Sequence, residues 1–227
     1  MYRYISSTAT GFVQQLAVGY VQHGHHFYVA GNIPERKEPA KVDAKLIRQY
    51  GIDVSKWTRA RRKKLGRASV QYIRCGRFFV LIATHGQHAF FEQEAVKDIR
   101  EEPIRFAGYS IGYKRGCDRR WHASVRIAPD EFLRLRNYLV GLAVHRSVEK
   151  LFAEFRRIPF EPYAPVRRQL LNMLGAVNQA RREAGFEPVP VSALRLRRRI
   201  VKPFVESDLR LNSLTVIGGR QETRRQA

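Results

Sequence analysis

The sequence predicts an α+β protein, in which a mainly antiparallel sheet with a basic helical insert is followed by a helical C-terminal half. Three observations predict this class. Apolar runs bounded by turn residues recur through the first 128 residues. A cation-rich stretch interrupts them, and after Ala128 the apolar spacing becomes helical. We therefore expect a sheet region with its insert at 1–128, a helical region packed on it at 129–217, and a disordered tail at 218–227.

The first strands are predicted at residues 12–21 and 25–30, where aromatic and β-branched residues lie between glycine-containing turns. The basic insert follows as two helices. The first is expected at residues 39–50, with proline in its opening turn and glycine just beyond its end. The second is expected at residues 55–66, where Ser55 is typical of a helix N-cap.

Two hairpins are expected next. Residues 70–75 and 78–84 flank a short connection that contains Gly76, as a tight turn requires. The second of these segments begins with a continuous apolar run, which predicts a central strand covered on both faces. Residues 104–113 and 121–128 form the second predicted hairpin.

The C-terminal half is predicted to contain two amphipathic helices. Pro129, followed by two acidic residues, favours a helix start, and apolar residues keep a helical period to about Ile158. A proline-rich bend leads to a second helix, whose apolar stripe begins at Val166 and which ends at Gly185. Core packing explains both stripes. A second basic segment follows at residues 192–201.

The chain is strongly basic. It contains 42 Lys and Arg against 20 Asp and Glu, which gives a formal net charge of +22, and its isoelectric point is near 10.8. Such an excess raises repulsion within the folded state, so it favours a polyanionic partner and nucleic acid in particular. The alternative is a solvated basic surface without a partner. Because hydrophobic residues make up 44% of the chain, we expect a packed core rather than disorder.

Neither a membrane partner nor export is expected. The longest apolar run, residues 78–91, is broken by polar residues and is shorter than the ~20 residues of a spanning helix. The first residues lack an apolar signal stretch, and Cys75 and Cys117 do not make the cysteine framework of small secreted proteins. We therefore expect an intracellular protein, either cytoplasmic or associated with the nucleoid.

Two basic segments are the candidate nucleic-acid-binding sites, because phosphate neutralisation needs cations on elements that the core does not use. One segment lies in the insert and the other near the C-terminus. The candidate contact residues are Lys56, Trp57, Arg59, Arg61, Arg62, Lys63, Lys64, Arg67, Arg195, Arg197, Arg198 and Arg199. Aromatic side chains in or near basic sequence can stack on unpaired bases or simply pack in the sheet. They are Trp57, Tyr72, Tyr109, Tyr113 and Trp121. An arginine-rich helix can also enter a duplex groove, so both binding modes remain open.

A histidine pair suggests a catalytic alternative. His23 and His25 are separated by Gly24, and two histidines at this spacing on a strand share one face, which suits a divalent metal. With an antiparallel sheet and a tyrosine on a later helix, the pattern resembles the HUH single-strand endonucleases. That family carries a bulky apolar residue where this chain has Gly24. The resemblance implies that His23 and His25 bind Mg²⁺ or Mn²⁺ and that Tyr138 is the nucleophile. Histidines in a polar hairpin loop are the alternative.

An acidic island is the basis of a second catalytic interpretation. Two-metal nucleases need converging carboxylates, and five acidic residues gather within an otherwise basic chain. They are Glu92, Glu94, Asp98, Glu101 and Glu102. An exposed helix or loop explains the same run.

The leading hypothesis is therefore that the protein binds nucleic acid, belongs to a mobile genetic element and requires no cofactor. One alternative is an HUH-like, metal-dependent single-strand DNA endonuclease. The other is a structural RNA-binding protein of a ribonucleoprotein, in which arginine-rich segments order on binding. The sequence contains no Walker-type phosphate loop, no dinucleotide-binding glycine motif and no Cys-x-x-Cys pair.

Overall fold

The central element is a five-stranded sheet with strand order β1-β3-β4-β2-β5. The computed structural model describes residues 2–116 and 118–204, so the predicted tail at 218–227 lies outside it. The strands are β1 (Ile5–Ser6), β2 (His25–Asn32), β3 (Val70–Cys75), β4 (Phe78–Thr84) and β5 (Lys97–Asp98). All neighbouring pairs are antiparallel except β1 and β3. The predicted α+β class with a mainly antiparallel sheet is therefore confirmed.

The hairpin of β3 and β4 forms as predicted. Cys75 pairs with Phe78, and Gly76 in the connection has a φ of 58°, a left-handed conformation that glycine adopts without strain. The apolar run of β4 faces two cores. Val80 and Ile82 are buried in the larger core, whereas alternate residues enter a smaller core on the other face. This two-sided burial explains why the run is continuous rather than alternating.

Three further strands form a separate sheet in the order β6-β7-β8. They are β6 (Ile104–Phe106), β7 (Tyr109–Arg115) and β8 (Trp121–Ile127). The strand predicted at residues 104–113 is thus two strands. Its continuity is broken by Ala107 and Gly108, which have φ values of 48° and 76° and turn the chain back on itself.

The strand predicted at residues 12–21 is wrong, because this stretch is helical. Helix α1 (Ala9–Gln14) continues as a π-helix over Gln15–Tyr20 and a 3₁₀ turn over Val21–His23. Thr8 caps it by accepting a hydrogen bond from the Gly11 amide at 3.1 Å. The buried residues recur in pairs every fourth position, which is a helical period. They are Phe12, Val13, Leu16, Ala17, Tyr20 and Val21. Residues 9–23 are called the N-terminal helical segment below.

The basic insert consists of α2 (Pro39–Gln49) and α3 (Lys56–Lys64), close to the predicted bounds. Helix α2 is fixed to the sheet through Asp43, which is fully buried. Its carboxylate accepts hydrogen bonds from the Tyr72 hydroxyl at 2.5 Å and from Arg74 Nε at 2.9 Å, and it forms a salt bridge with the same guanidinium. Burial and then this carboxylate raise the pKa of Tyr72 well above its ordinary value.

The short helix α4 (Phe90–Gln93) follows the sheet, and the helical C-terminal half follows β8 as predicted. It contains α5 (Pro129–Leu142), α6 (Val148–Arg157) and α7 (Ala164–Glu183), then a 3₁₀ turn at Val191–Ala193.

The single helix expected up to Ile158 is interrupted after α5. Arg181 of α7 is buried there, and its Nη1 donates to the carbonyl oxygens of Ala143 and Arg146 at 2.6 and 2.8 Å. Ser147 then caps α6. The break is stabilised because a charged donor satisfies carbonyls that the helix no longer pairs.

The larger core lies between the N-terminal helical segment, both sheets and helices α5 to α7. The smaller core lies between α2, β3, β4 and α4, and includes Tyr50, Tyr72 and Phe90. Helix α3 contributes no buried residue to either core. Within the ranges that the structure describes, no helix combines the length and apolarity needed to cross a bilayer.

Candidate functional site

Helix α3 presents its cations to solvent. Ser55 caps it by accepting from the Thr58 amide at 3.1 Å, and no side chain of the helix is buried. Trp57 is 85% exposed. Among residues 2–116 and 118–204, no carboxylate forms a salt bridge with any Lys or Arg of residues 56–67. The helix therefore carries positive charge that neither the core nor neighbouring acids neutralise.

Two arginines of α3 also hold the helix in place. Arg59 Nη1 donates to the carbonyl oxygen of Val54 at 2.6 Å, and Arg62 Nη1 donates to that of Gly51 at 3.0 Å. These bonds join the helix to the loop that precedes it. A guanidinium has five N–H donors, so one such bond leaves other donors for a ligand.

A cavity of about 510 Å³ lies between α3 and the sheet and is called the α3 cavity below. Lys56, Arg59 and Lys63 form one wall, because positions i, i+3 and i+7 share a helix face. The facing wall carries polar side chains and the end of the π-helix. Its lining residues include Tyr20, His23, His25, Ser69, Gln71 and Thr84. No Asp or Glu is among the described residues that line the cavity. A cationic wall facing neutral hydrogen-bonding groups suits an anionic ligand.

His25 lines this cavity as a neutral imidazole. The carbonyl oxygen of Tyr20 lies 3.2 Å from His25 Nδ1, so the ring donates its proton there. Burial lowers the pKa of His25 to about 4, although the Tyr20 carbonyl opposes the shift. Nε2 is buried without a hydrogen-bond partner among the described residues. The positive charge of the cavity therefore comes from α3, and His25 contributes an unused acceptor.

A β-bulge directs the side chains of the neighbouring residues His25 and His26 to different surroundings. The register of β2 against β4 shifts between His25 and Phe27. Bulges re-aim side chains. His25 lines the α3 cavity, whereas the ring of the next residue, His26, stacks on Tyr113 of β7 at 4.3 Å. The bulge thus connects the cavity to the second sheet.

The predicted metal pair is not carried by one strand. His23 ends the 3₁₀ turn, Gly24 has a φ of 89°, and His25 begins β2. Both histidines line the α3 cavity, but Tyr138 of α5 lines a different pocket and its hydroxyl donates to Glu154 at 3.2 Å. Within the described residues, no three His, Cys, Asp or Glu side chains are grouped to hold a metal. The structure therefore does not bring together the set of groups that the HUH resemblance implies.

The arginines of the second basic segment lie within residues 195–199, which have no regular structure and are called the arginine segment below. Arg195 Nη2 donates to the Ile158 carbonyl oxygen at 2.5 Å, and the Arg198 guanidinium lies 4.9 Å from the centre of the Tyr163 ring. Arg197, Arg198 and Arg199 line a cavity of about 730 Å³ together with Arg195 and Arg156. This arginine segment is therefore a second concave, cationic surface.

Both basic surfaces adjoin the N-terminal helical segment. Just after the arginine segment, Val201 exchanges two hydrogen bonds with the Gln14 side chain, at 2.7 and 3.2 Å. Five to six residues further along, Gly19 and Tyr20 line the α3 cavity. This separation is roughly 8 Å along a helix axis. Segments that are more than 120 positions apart in the sequence thus contact one element.

No family model, curated protein or solved structure matches this chain.

The five aromatic candidates separate into two groups. Tyr72 and Tyr109 are buried in the two cores, which leaves them no free ring face for a base. Trp57 and Trp121 are exposed, and Tyr113 is half-buried beside Trp121. A sequence pattern indicates which residues share a face of a strand, but not how far along that face the core extends.

The acidic island does not form a carboxylate cluster. Glu102 forms a salt bridge with Lys97, and Asp98 forms one with Arg100. Hydrogen bonds from the Arg100 side chain lower the pKa of Asp98 below its ordinary value. These carboxylates are paired with local cations.

The sequence analysis singles out His23 and His25 of the facing wall of the α3 cavity, but not Tyr20, Gln71 or Thr84. The sequence predicts Tyr20, Gln71 and Thr84 in strands, and it indicates no binding role for them. The helical spacing of buried residues in 12–21 was the available signal for Tyr20. π-Helices occur often at functional sites, but nothing in the local sequence predicts one here.

Proposed function

We propose that this protein binds nucleic acid by contacting phosphates with α3 and the arginine segment. The observation that carries the proposal is the convergence of Lys56, Arg59 and Lys63 on a cavity without an acidic lining residue among those described. Three like charges on one wall repel one another, and a bound polyanion relieves that repulsion. Phosphate oxygens also accept hydrogen bonds from ammonium and guanidinium groups.

The placement of the second basic surface supports the same ligand. The arginine segment adjoins the N-terminal helical segment near Gln14, and the α3 cavity adjoins it at Gly19 and Tyr20. A polyanionic chain has phosphates at regular intervals, so one strand can contact both surfaces. An isolated small anion would engage only one of them. The separation of the two cationic surfaces therefore favours a polymer.

Salt dependence tests this proposal. Each phosphate contact releases counterions, so the logarithm of the association constant falls with the logarithm of salt concentration, by about 0.7 to 0.9 per contact. Replacing two cavity cations in the variant Lys56→Gln/Lys63→Gln should reduce the steepness of that slope by about 1.4 to 1.8. The measurement is titration of a labelled oligonucleotide, in DNA and RNA forms, at several salt concentrations.

The matched control removes two cations that already have acidic partners. Lys97 and Arg134 form salt bridges with Glu102 and Glu131, so Lys97→Gln/Arg134→Gln loses the same formal charge. We expect this control to keep most of the wild-type slope. A wild-type slope near zero would contradict the proposal, because several phosphate contacts must release counterions.

A further inference from the structure

One face of the β7–β8 hairpin extends beyond the core. Tyr109 and Ile111 of β7 lie on this face opposite Ile127 and Val125, and all four are buried. The same face continues to the hairpin tip, where Arg115 pairs directly with Trp121. Trp121 is 47% exposed. This face of the hairpin is therefore buried in the core at one end, and at the other end it exposes the Trp121 ring to solvent.

Three aromatic rings form a continuous stack at this end. His26, on the β2 bulge, stacks on Tyr113 with centroids 4.3 Å apart and an interplanar angle of 29°. Tyr113 stacks in turn on Trp121 at 5.6 Å and 20°. The ring planes are nearly parallel and the last ring is half-exposed. The stack therefore ends in a position that one more planar ring can occupy.

Basic residues lie near Trp121 in the sequence and in the strand register. Arg120 precedes Trp121, and Arg115 lies opposite it in the register. Arg115 Nε donates to the Arg119 carbonyl oxygen at 2.9 Å, which folds the tip so that its basic residues lie together. The one acidic residue of the tip, Asp118, is paired with His122 at 2.8 Å. Among the residues that the structure describes, no carboxylate forms a salt bridge with Arg115, Arg119 or Arg120. An aromatic platform beside such cations matches a base attached to a phosphate backbone.

We infer that Trp121 stacks on an unpaired base, so that the protein prefers single-stranded over double-stranded nucleic acid. This inference rests on the proposed function. Inside a duplex both faces of a base are covered by its neighbours, whereas an unpaired base offers a face to a protein ring. The stack is also connected to the α3 cavity, because His25 and His26 are adjacent on the same bulge.

Fluorescence gives a direct test, because the chain has two tryptophans. In the Trp57→Phe variant Trp121 is the only tryptophan. Titration with single-stranded oligo(dT) should quench its emission, as stacking on a base does. Titration with a blunt hairpin duplex of equal phosphate number should leave the emission nearly unchanged and should show weaker binding.

Affinity measurements complete the test. We expect Trp121→Ala to weaken single-strand binding by about 5- to 150-fold, the range of one base–aromatic stack, and to leave duplex binding unchanged. Trp121→Phe should restore most of the loss. The control is Phe186→Ala, which removes an aromatic ring of equal exposure, 47%, from another part of the surface and should alter neither affinity. Thermal melting checks that each variant is folded.

The outcomes separate the two proposals. Salt-dependent binding of both ligands with equal affinity, unaffected by Trp121→Ala, would overturn the stacking inference and leave the phosphate-binding proposal standing. Absence of binding to either ligand would overturn both. Quenching by the single strand alone, with loss on Trp121→Ala and recovery on Trp121→Phe, would support the inference.

Discussion

At the scale of single residues, Asp43 is the charge on which the insert most depends. Its carboxylate is fully buried, with Tyr72 and Arg74 as its partners. Removing one member of a buried ion pair leaves the other desolvated and unpaired, at a cost of about 3–5 kcal/mol. We expect Asp43→Asn to lower the free energy of unfolding by that amount, measured by urea denaturation.

An exposed aspartate–arginine pair provides the control for this prediction. Asp130 and Arg105 form a salt bridge at 3.1 Å in which both side chains are mostly exposed. We expect Asp130→Asn to change the free energy of unfolding by at most about 1 kcal/mol. Equal effects of the two substitutions would show that the burial of Asp43 does not determine its contribution.

At the scale of elements, α3 is a helix that packing supports little. It buries no side chain, so its N-cap and its two arginine–carbonyl bonds hold most of its local stability. We expect Ser55→Ala to destabilise the helix locally by about 1 kcal/mol. The measurable result is faster hydrogen exchange in Lys56–Lys64, with unchanged exchange in β4 and a nearly unchanged melting temperature.

The comparison helix for this experiment is α6, which also has a serine N-cap. Ser147 accepts a hydrogen bond from the Lys150 amide, but α6 buries Leu151 and Phe155 in the larger core. Ser147→Ala should therefore reduce the stability of the whole domain and not only that of its helix. A lower melting temperature after Ser55→Ala than after Ser147→Ala would contradict this distinction.

The elements that the sequence predicts well are those whose signals are local. The β3–β4 hairpin has its turn glycine, and the insert helices have their proline, glycine and serine at the ends. The aromatic and β-branched residues of the stretch 12–21 favour a strand, but the stretch is helical, as the spacing of its buried residues indicates. The sequence names Lys56, Arg59 and Lys63 among its candidate cations, because they lie in one basic segment, and it names His23 and His25 for another role. It does not indicate the cavity between them, because tertiary packing brings Tyr20 and Gln71 to it.

At the scale of the whole molecule, the two basic surfaces, the cavity and the ring stack are organised around one helical segment and one bulge. The N-terminal helical segment contacts both cationic surfaces, and the β2 bulge sends neighbouring histidines to the cavity and to the stack. Disturbing His25 should therefore affect the fold as well as the binding surface. Its neutral state links the stability of the whole chain to pH.

The pH dependence of stability follows from the lowered pKa of His25. Its pKa is about 4 in the folded chain, below the ~6.5 of an unfolded chain, and burial also lowers the pKa values of His26 and His88. On acidification the unfolded chain binds protons first, so stability is complete above pH 6.5 and is lost as the pH falls towards 4. His25 alone accounts for a loss on the order of 3 kcal/mol.

Urea denaturation between pH 7.5 and 4.5 should show this decline. His25→Gln should flatten it, whereas His145→Gln, at an exposed position, should not. An equal slope in all three proteins would mean that burial of His25 does not couple its protonation to unfolding.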